Sequence, residues 1–146
     1  MHCSSALPPR DCRRLLGSSG NGRAVFTEAA LPAVLPTEYV VWGDRVWFPV
    51  PVGSSLRHHV DGAVLAYHVD HVEPSERSGW SVTVVGPCRT VPRPHSPTAA
   101  CRLVEGTDHR LLALDMAHFT GRELGRAELP GPARAPGDPL DALRPA

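Results

Sequence analysis

Between residues 22 and 91 apolar β-formers alternate with polar residues and are interrupted at short intervals by glycine, proline and serine. A chain patterned like this folds into sheet, with turns where the punctuation falls. The centre of the pattern, VLPTEYVVWGDRVWFPVPVGSSL at residues 34–56, reads as two strands joined by a tight Gly43-Asp44 turn. A Gly53-Ser54-Ser55 loop follows and opens a short helix.

Taken in order, residues 1–9 carry no periodic pattern and read as a mobile tail. Asp11 is placed to cap a short helix ending near Gly17. Residues 22–27 make a first strand, Glu28-Ala29-Ala30 a turn, and residues 31–42 a second strand whose Pro32 and Pro36 mark a sheet edge or bulge. Residues 45–50 form a third strand, interrupted at Pro49 because proline lacks a backbone donor. Ser54 is placed to cap a single helical turn reaching His59. In residues 63–72, Ala63, Leu65, Tyr67 and Val69 face one side and Val64, Ala66, His68 and Asp70 the other. Residues 81–91 are a fifth strand bent at Pro87, Thr98 caps a short helix to Val104, and residues 109–119 are the sixth strand. Residues 126–146 are rich in proline, glycine and alanine and read as a disordered tail. Six strands, two or three short helices and no βαβ rhythm predict a mainly β domain over residues 10–125, an antiparallel barrel that is closed or nearly so.

Composition narrows the partners. The 146 residues carry 15 basic and 15 acidic side chains, a balance that argues against an electrostatic nucleic-acid binder. Every basic residue is arginine, which together with the abundant alanine, glycine and proline points to coding bias. No apolar run is long enough to cross a bilayer. Cys3, Cys12, Cys88 and Cys101 include no C-x-x-C pair, and no secretory signal precedes them, so free thiols in a cytoplasmic protein are expected and no metal site is.

The segments GRAVF (22–26), VLPTEYVV (34–41), GDRVWF (43–48), GSSL (53–56), GAVLAYHVD (62–70) and GWSV (79–82) stand in an order and spacing that resembles the pyridoxamine 5'-phosphate oxidase-like, flavin-binding split-barrel proteins. The likeness covers roughly residues 15–124. It implies a split β-barrel homodimer that binds FMN, or in some relatives the deazaflavin F420, in a groove between subunits, with a small-molecule substrate and no nucleic-acid or membrane partner. The cofactor-binding positions it implies are Thr37, Tyr39, Phe48, Val50, Ser54, Ser55, Arg57, Trp80 and Ser81. The catalytic residues stay open.

This chain departs from the family pattern where the cofactor phosphate is held. The usual Phe-Arg-Thr is Phe48-Pro49-Val50 here, and the usual Gly-Ser-Lys-Leu is Gly53-Ser54-Ser55-Leu56. Each charge-assisted hydrogen bond is worth about 1.5–3 kcal/mol, so losing both cations weakens FMN by roughly a hundredfold or more unless another donor, such as Arg57, replaces them. In the Leu-Pro-Val-Asn-Tyr element, Glu38 stands where the family has an amide.

Plainer readings stand beside these. Trp42, Trp47 and Trp80 are more often packing residues than flavin stackers. His58 and His59 point apart on a helical turn, and His68 and His71 fall on opposite strand faces, so neither pair shares a metal. Three functional readings remain open: an FMN- or F420-dependent oxidoreductase, a degenerate barrel that has lost flavin and holds another flat ligand or none, and a dimerisation module.

Overall fold

The computed structural model describes residues 5–54, 56 and 60–125. The expected turn at residues 54–59 in large part, the tail from 126 onward, and Ser55, Arg57, His58 and His59 lie outside them.

The order is α1 (Pro9–Gly17), β1 (Asn21–Glu28), β2 (Leu31–Glu38), β3 (Val40–Trp42), β4 (Arg45–Val50), β5 (Ala63–Glu73), β6 (Ser78–Thr90), α2 (Thr98–Cys101), β7 (Arg110–Asp115) and β8 (His118–Leu124), with single 3-10 turns at Arg93–His95 and Arg102–Val104. The strands form one antiparallel sheet in the order β2-β1-β5-β6-β7-β4-β3, and β8 pairs with β6 off that path. β2 and β3 stand at opposite ends of this order, yet only Tyr39 separates them along the chain. The sheet must therefore curl until its two edges approach, which makes it the mainly β split barrel expected from the sequence.

Six strands were expected and eight are present among the described residues, because two of the long ones break. Tyr39 leaves the ladder between β2 and β3 and donates its N–H to the Gly20 carbonyl at 3.0 Å. At the other break Ala117 N–H donates to Asp115 O at 2.9 Å, a three-residue turn that redirects the chain from β7 to β8. β6 serves both strands, pairing Gly79 to Val85 with β8 and Cys88 to Thr90 with β7. The switch falls at Gly86 and Pro87, and Pro87 has no N–H to offer the ladder.

Two adjacent rows across the sheet show why the alternation works. Leu35, Ala24, Tyr67, Val84 and Phe119 are cross-strand neighbours on the inner face, and Ala24, Tyr67 and Val84 are fully buried. One residue along, Val34, Val25, Ala66 and Val85 form the matching outer row. β7 is buried on both faces. Leu112 and Leu114 enter the barrel core, while Leu111 and Ala113 join Trp47, Ala100 and Val104 in a second cluster beneath α2.

The prolines and ends refine the expectations. Pro32 and Pro36 lie on β2, an edge strand, as expected. β4 runs through Pro49, which still opposes Leu111 on β7, so only the β3 side of the ladder stops, at Trp47. Helix α1 begins at Pro9 with Pro8 as its N-cap, and Asp11 lies in its first turn instead of capping it. The cap of α2 is likewise Pro97 and not Thr98. Residues 5–7 of the expected N-terminal tail are tied to β8, through Leu7 N–H to Gly121 O at 2.9 Å and Glu123 N–H to Ser5 O at 3.1 Å. Arg13 docks α1 on the β3–β4 turn, contacting Asp44 Oδ1 and Gly43 O at 2.7 Å each.

The β1–β2 hairpin closes through Ala29 and Ala30, both in the left-handed region at φ 47° and 62°. A two-residue turn of this kind favours Asn-Gly, and a left-handed alanine costs about 1–2 kcal/mol. The double change Ala29→Asn with Ala30→Gly is expected to raise stability by about 1–2 kcal/mol, read as a higher denaturation midpoint with unchanged slope.

Candidate functional site

The barrel interior is organised on Tyr67. Its ring lies 5.1 Å from those of both Tyr39 and Phe48. Its hydroxyl meets Thr37 Oγ1 at 2.7 Å and the Thr37 carbonyl at 3.3 Å, while Tyr39 donates its hydroxyl to the Leu16 carbonyl. Both phenols are buried with their polar ends satisfied, so burial pushes Tyr39 up to about 12 and Tyr67 higher still. Burial likewise pushes the Cys88 thiol up to about 12 and raises that of Cys12. Cys12, Cys88 and Cys101 are free thiols.

The raised tyrosines carry a pH signature. The unfolded chain loses the Tyr39 proton near pH 10 and the folded chain only near 12, so its contribution is complete below pH 10 and lost as pH rises through this window. Stability should fall by at most about 3 kcal/mol on this account. Urea midpoints measured from pH 9 to 12 check it, and Tyr39→Phe should make the decline shallower.

Of the residues assigned to a cofactor, Thr37, Tyr39 and Phe48 come together around Tyr67. Tyr39, Phe48 and Val50 are buried inside the barrel, where what they can present outward is backbone. Val50 and Ser54 sit at the far end of β4, and Ser54 N–H closes a turn on Pro51 O at 3.0 Å. Trp80 and Ser81 lie near the start of β6, opposite His71 and Asp70, and the His71 and Trp80 rings stand 6.4 Å apart. Trp47 packs in the second core cluster and donates Nε1–H to the Trp42 carbonyl at 3.3 Å, whereas Trp42 itself is exposed. His68 bridges Thr83 Oγ1 at 2.9 Å and Asp70 Oδ2 at 3.1 Å on the outer face. Among the described residues no cluster of three His, Cys, Asp or Glu side chains is placed to hold a metal ion.

The end of the barrel where β4 finishes and β5 begins gathers the C-terminal ends of β1, β4 and β6 and the N-terminal ends of β5 and β7. Two cavities open there. The first, about 350 Å³, is lined by Phe26, Leu56, Ala63, Val64 and Leu65 together with the Thr27-Glu28-Ala29 turn, and is mainly apolar. It adjoins the Gly-Ser-Ser-Leu segment through Leu56. The second, about 260 Å³, is lined by Arg93, His109 and Arg110 among others and is basic. Sequence reasoning missed the side chains of both cavities, because it is the pairing of β1 with β5 and of β6 with β7 that assembles them. The barrel can thus offer an apolar surface and a cationic one at a single end, the apolar one bordered by Leu56.

Comparison with known proteins agrees with this architecture. Residues 8–123 match the family model described as Pyridoxamine 5'-phosphate oxidase. The uncharacterized protein Rv0080 of Mycobacterium tuberculosis is 38% identical over 99 residues, covering 64% of this chain and 65% of that protein, so slightly less than two thirds of the relative's length is spanned. Among solved structures, an FAD binding protein from Mycobacterium smegmatis superposes with a TM-score of 0.66 at 24% identity, over 84% of this chain and 99% of its own. An FAD-binding protein from Mesorhizobium loti gives 0.67 at 19% identity, over 83% and 96%. An FAD and heme binding protein from M. smegmatis gives 0.59 at 17% identity, over 92% and 77%. These likenesses establish a shared split-barrel fold, and with the family match over residues 8–123 they place this chain in the pyridoxamine 5'-phosphate oxidase family.

Proposed function

We propose that this chain binds a flavin, FMN, at the loop end of its barrel and acts as a homodimeric, cytoplasmic flavin-dependent oxidoreductase on a small-molecule substrate. The observation that carries the reading is the family match over residues 8–123, joined to an apolar cavity that abuts the Gly-Ser-Ser-Leu segment through Leu56. Structural neighbours that bind FAD support it. At about 350 Å³ this cavity is within the usual range for a small-molecule site, and its aliphatic lining with Phe26 suits a flat ring.

A bound flavin supplies the hydride chemistry itself. The chain's part is to bind and orient. Phe26, Leu56, Val64 and Leu65 exclude water from one face of the ring, and the rigid Tyr39-Tyr67-Phe48 cluster behind fixes the strands that carry them. The dimer reading rests on the outer row of Val34, Val25, Ala66 and Val85. Together with Val64 it leaves an apolar patch on one sheet face, and Val34 and Val64 are 56% and 68% exposed. Free described thiols suit a reducing cytoplasm. Among the described residues no helix is long and apolar enough to cross a membrane.

A second reading, a barrel that has lost flavin, is favoured by one feature: the family's phosphate cations are replaced by Pro49 and Ser55. Acid release and mass spectrometry of the chromophore from freshly purified protein separate the two. FMN is expected. A colourless protein that gains no flavin absorbance after incubation with FMN and gel filtration would favour the second reading.

A further inference from the structure

The segment joining β6 to β7, residues 91–109, folds back on itself. Val91 N–H donates to Leu111 O at 3.0 Å, and Arg93 Nη2 donates to the Val104 carbonyl at 2.6 Å. Between these ties lies the cavity of about 260 Å³, lined by Thr90, Arg93, Val104, His109, Arg110 and Leu111 together with Val91 and Pro92. Among the described residues its lining holds two guanidinium groups, one imidazole and no carboxylate. Asp61 is engaged by the Thr90 N–H at 2.8 Å, and Glu105 and Asp108, though close in sequence, do not line the space. Arg93 commits one of its five donors to Val104, and Arg110 is exposed with no ion-pair partner among the described residues. A concave surface with this charge set and no compensating carboxylate is suited to an anion, and guanidinium forks match phosphate oxygens in particular. The volume is below that of a whole-ligand pocket, which fits a subsite for one charged group.

The position of this cavity gives it a role. Leu111 is the cross-strand partner of Pro49, and Arg110 that of Val50. Directly opposed residues have Cα atoms about 4.5–5.5 Å apart. The basic cavity therefore borders the site on β4 where a cation is missing, and the charge absent from β4 is present on its neighbour β7. We propose that Arg110, with Arg93 and His109, forms a phosphate subsite that receives the phosphate of the flavin in place of a cation on β4. This inference rests on the flavin reading above and goes beyond it by naming the residues that hold the charge.

The test is a pair of equilibrium titrations, FMN and riboflavin, on the full-length chain and its Arg110→Gln variant, followed by flavin fluorescence. The parent should bind FMN at least about tenfold more tightly than riboflavin, since about 1.4 kcal/mol corresponds to that factor. Arg110→Gln should weaken FMN by about 10- to 100-fold and leave riboflavin unchanged, and Arg110→Lys should restore part of the loss. FMN affinity unchanged by Arg110→Gln, or a parent that does not distinguish FMN from riboflavin, overturns the subsite while leaving flavin binding intact. If neither flavin binds, the flavin reading fails, and inorganic pyrophosphate becomes the probe. A rise in melting temperature in the parent that is lost in Arg110→Gln then supports an anion site independent of flavin, and no rise in the parent overturns it. Arg110 is exposed, so the variant should melt within a degree or two of the parent without ligand.

Discussion

Gly86→Ala is expected to destabilise the barrel by about 3 kcal/mol or more, a larger loss than any single surface change should produce. Gly86 is buried at the point where β6 exchanges β8 for β7, and a Cβ there would fall well inside van der Waals distance of the Asp115 carbonyl. The obstacle is backbone, and it is held in place. Asp115 accepts from Arg45 Nε at 2.8 Å through its side chain, and its carbonyl accepts the Ala117 N–H that turns the chain into β8. Relief would require moving the β7–β8 corner, and with it the β4–β7 ladder. Gly20→Ala provides the control, since a Cβ at Gly20 meets nothing within 4 Å, and it should change stability by about 0.5 kcal/mol or less. Urea denaturation of both variants reads the contrast. Equal midpoints would contradict the close approach at Gly86.

If the chain forms the proposed dimer, Val25→Arg is expected to convert it to monomer, weakening association by roughly a hundredfold or more, because a charge buried without a partner at an interface costs several kcal/mol. Val25 lies at the centre of the outer row, directly opposed to Val34 on one side and Ala66 on the other. Its side chain is half-buried in the single chain and projects away from the core, so the monomer should keep its fold. Sedimentation equilibrium with far-UV circular dichroism separates the effects. A parent that sediments as a monomer at micromolar concentration, or a variant that remains dimeric, would place the interface elsewhere or remove it.

What the sequence disclosed was the local part of the fold. The strict alternation through residues 63–70 put Leu65, Tyr67 and Val69 inside, and the Gly43-Asp44 turn and the edge prolines Pro32 and Pro36 fell where expected. These depend on period-two geometry and turn chemistry, which neighbouring residues determine. The breaks at Tyr39 and Ala117 were hidden, because each is enforced by a partner distant in sequence or by a corner in space: the Gly20 carbonyl and the Leu16 carbonyl hold Tyr39, and β6 changes neighbours beside Ala117. β7 reads as an ordinary strand although both of its faces are covered, since the covering α2 segment follows β6 and lands on β4 and β7 through tertiary packing. The cofactor positions came from resemblance, and their arrangement in space could not be read from the sequence. Thr37, Tyr39 and Phe48 do converge, but around a buried Tyr67 that drew no functional reading, and Arg110 became relevant only when the β4–β7 register set it opposite Val50.

The central claim is that this barrel holds a flavin, and isothermal titration of FMN into protein stripped of small molecules tests it most directly. Saturable binding of one FMN per chain is predicted, accompanied by a shift of the flavin absorbance bands and a melting temperature that rises with FMN concentration. An absence of heat, band shift and stabilisation at FMN concentrations up to the millimolar range would contradict it.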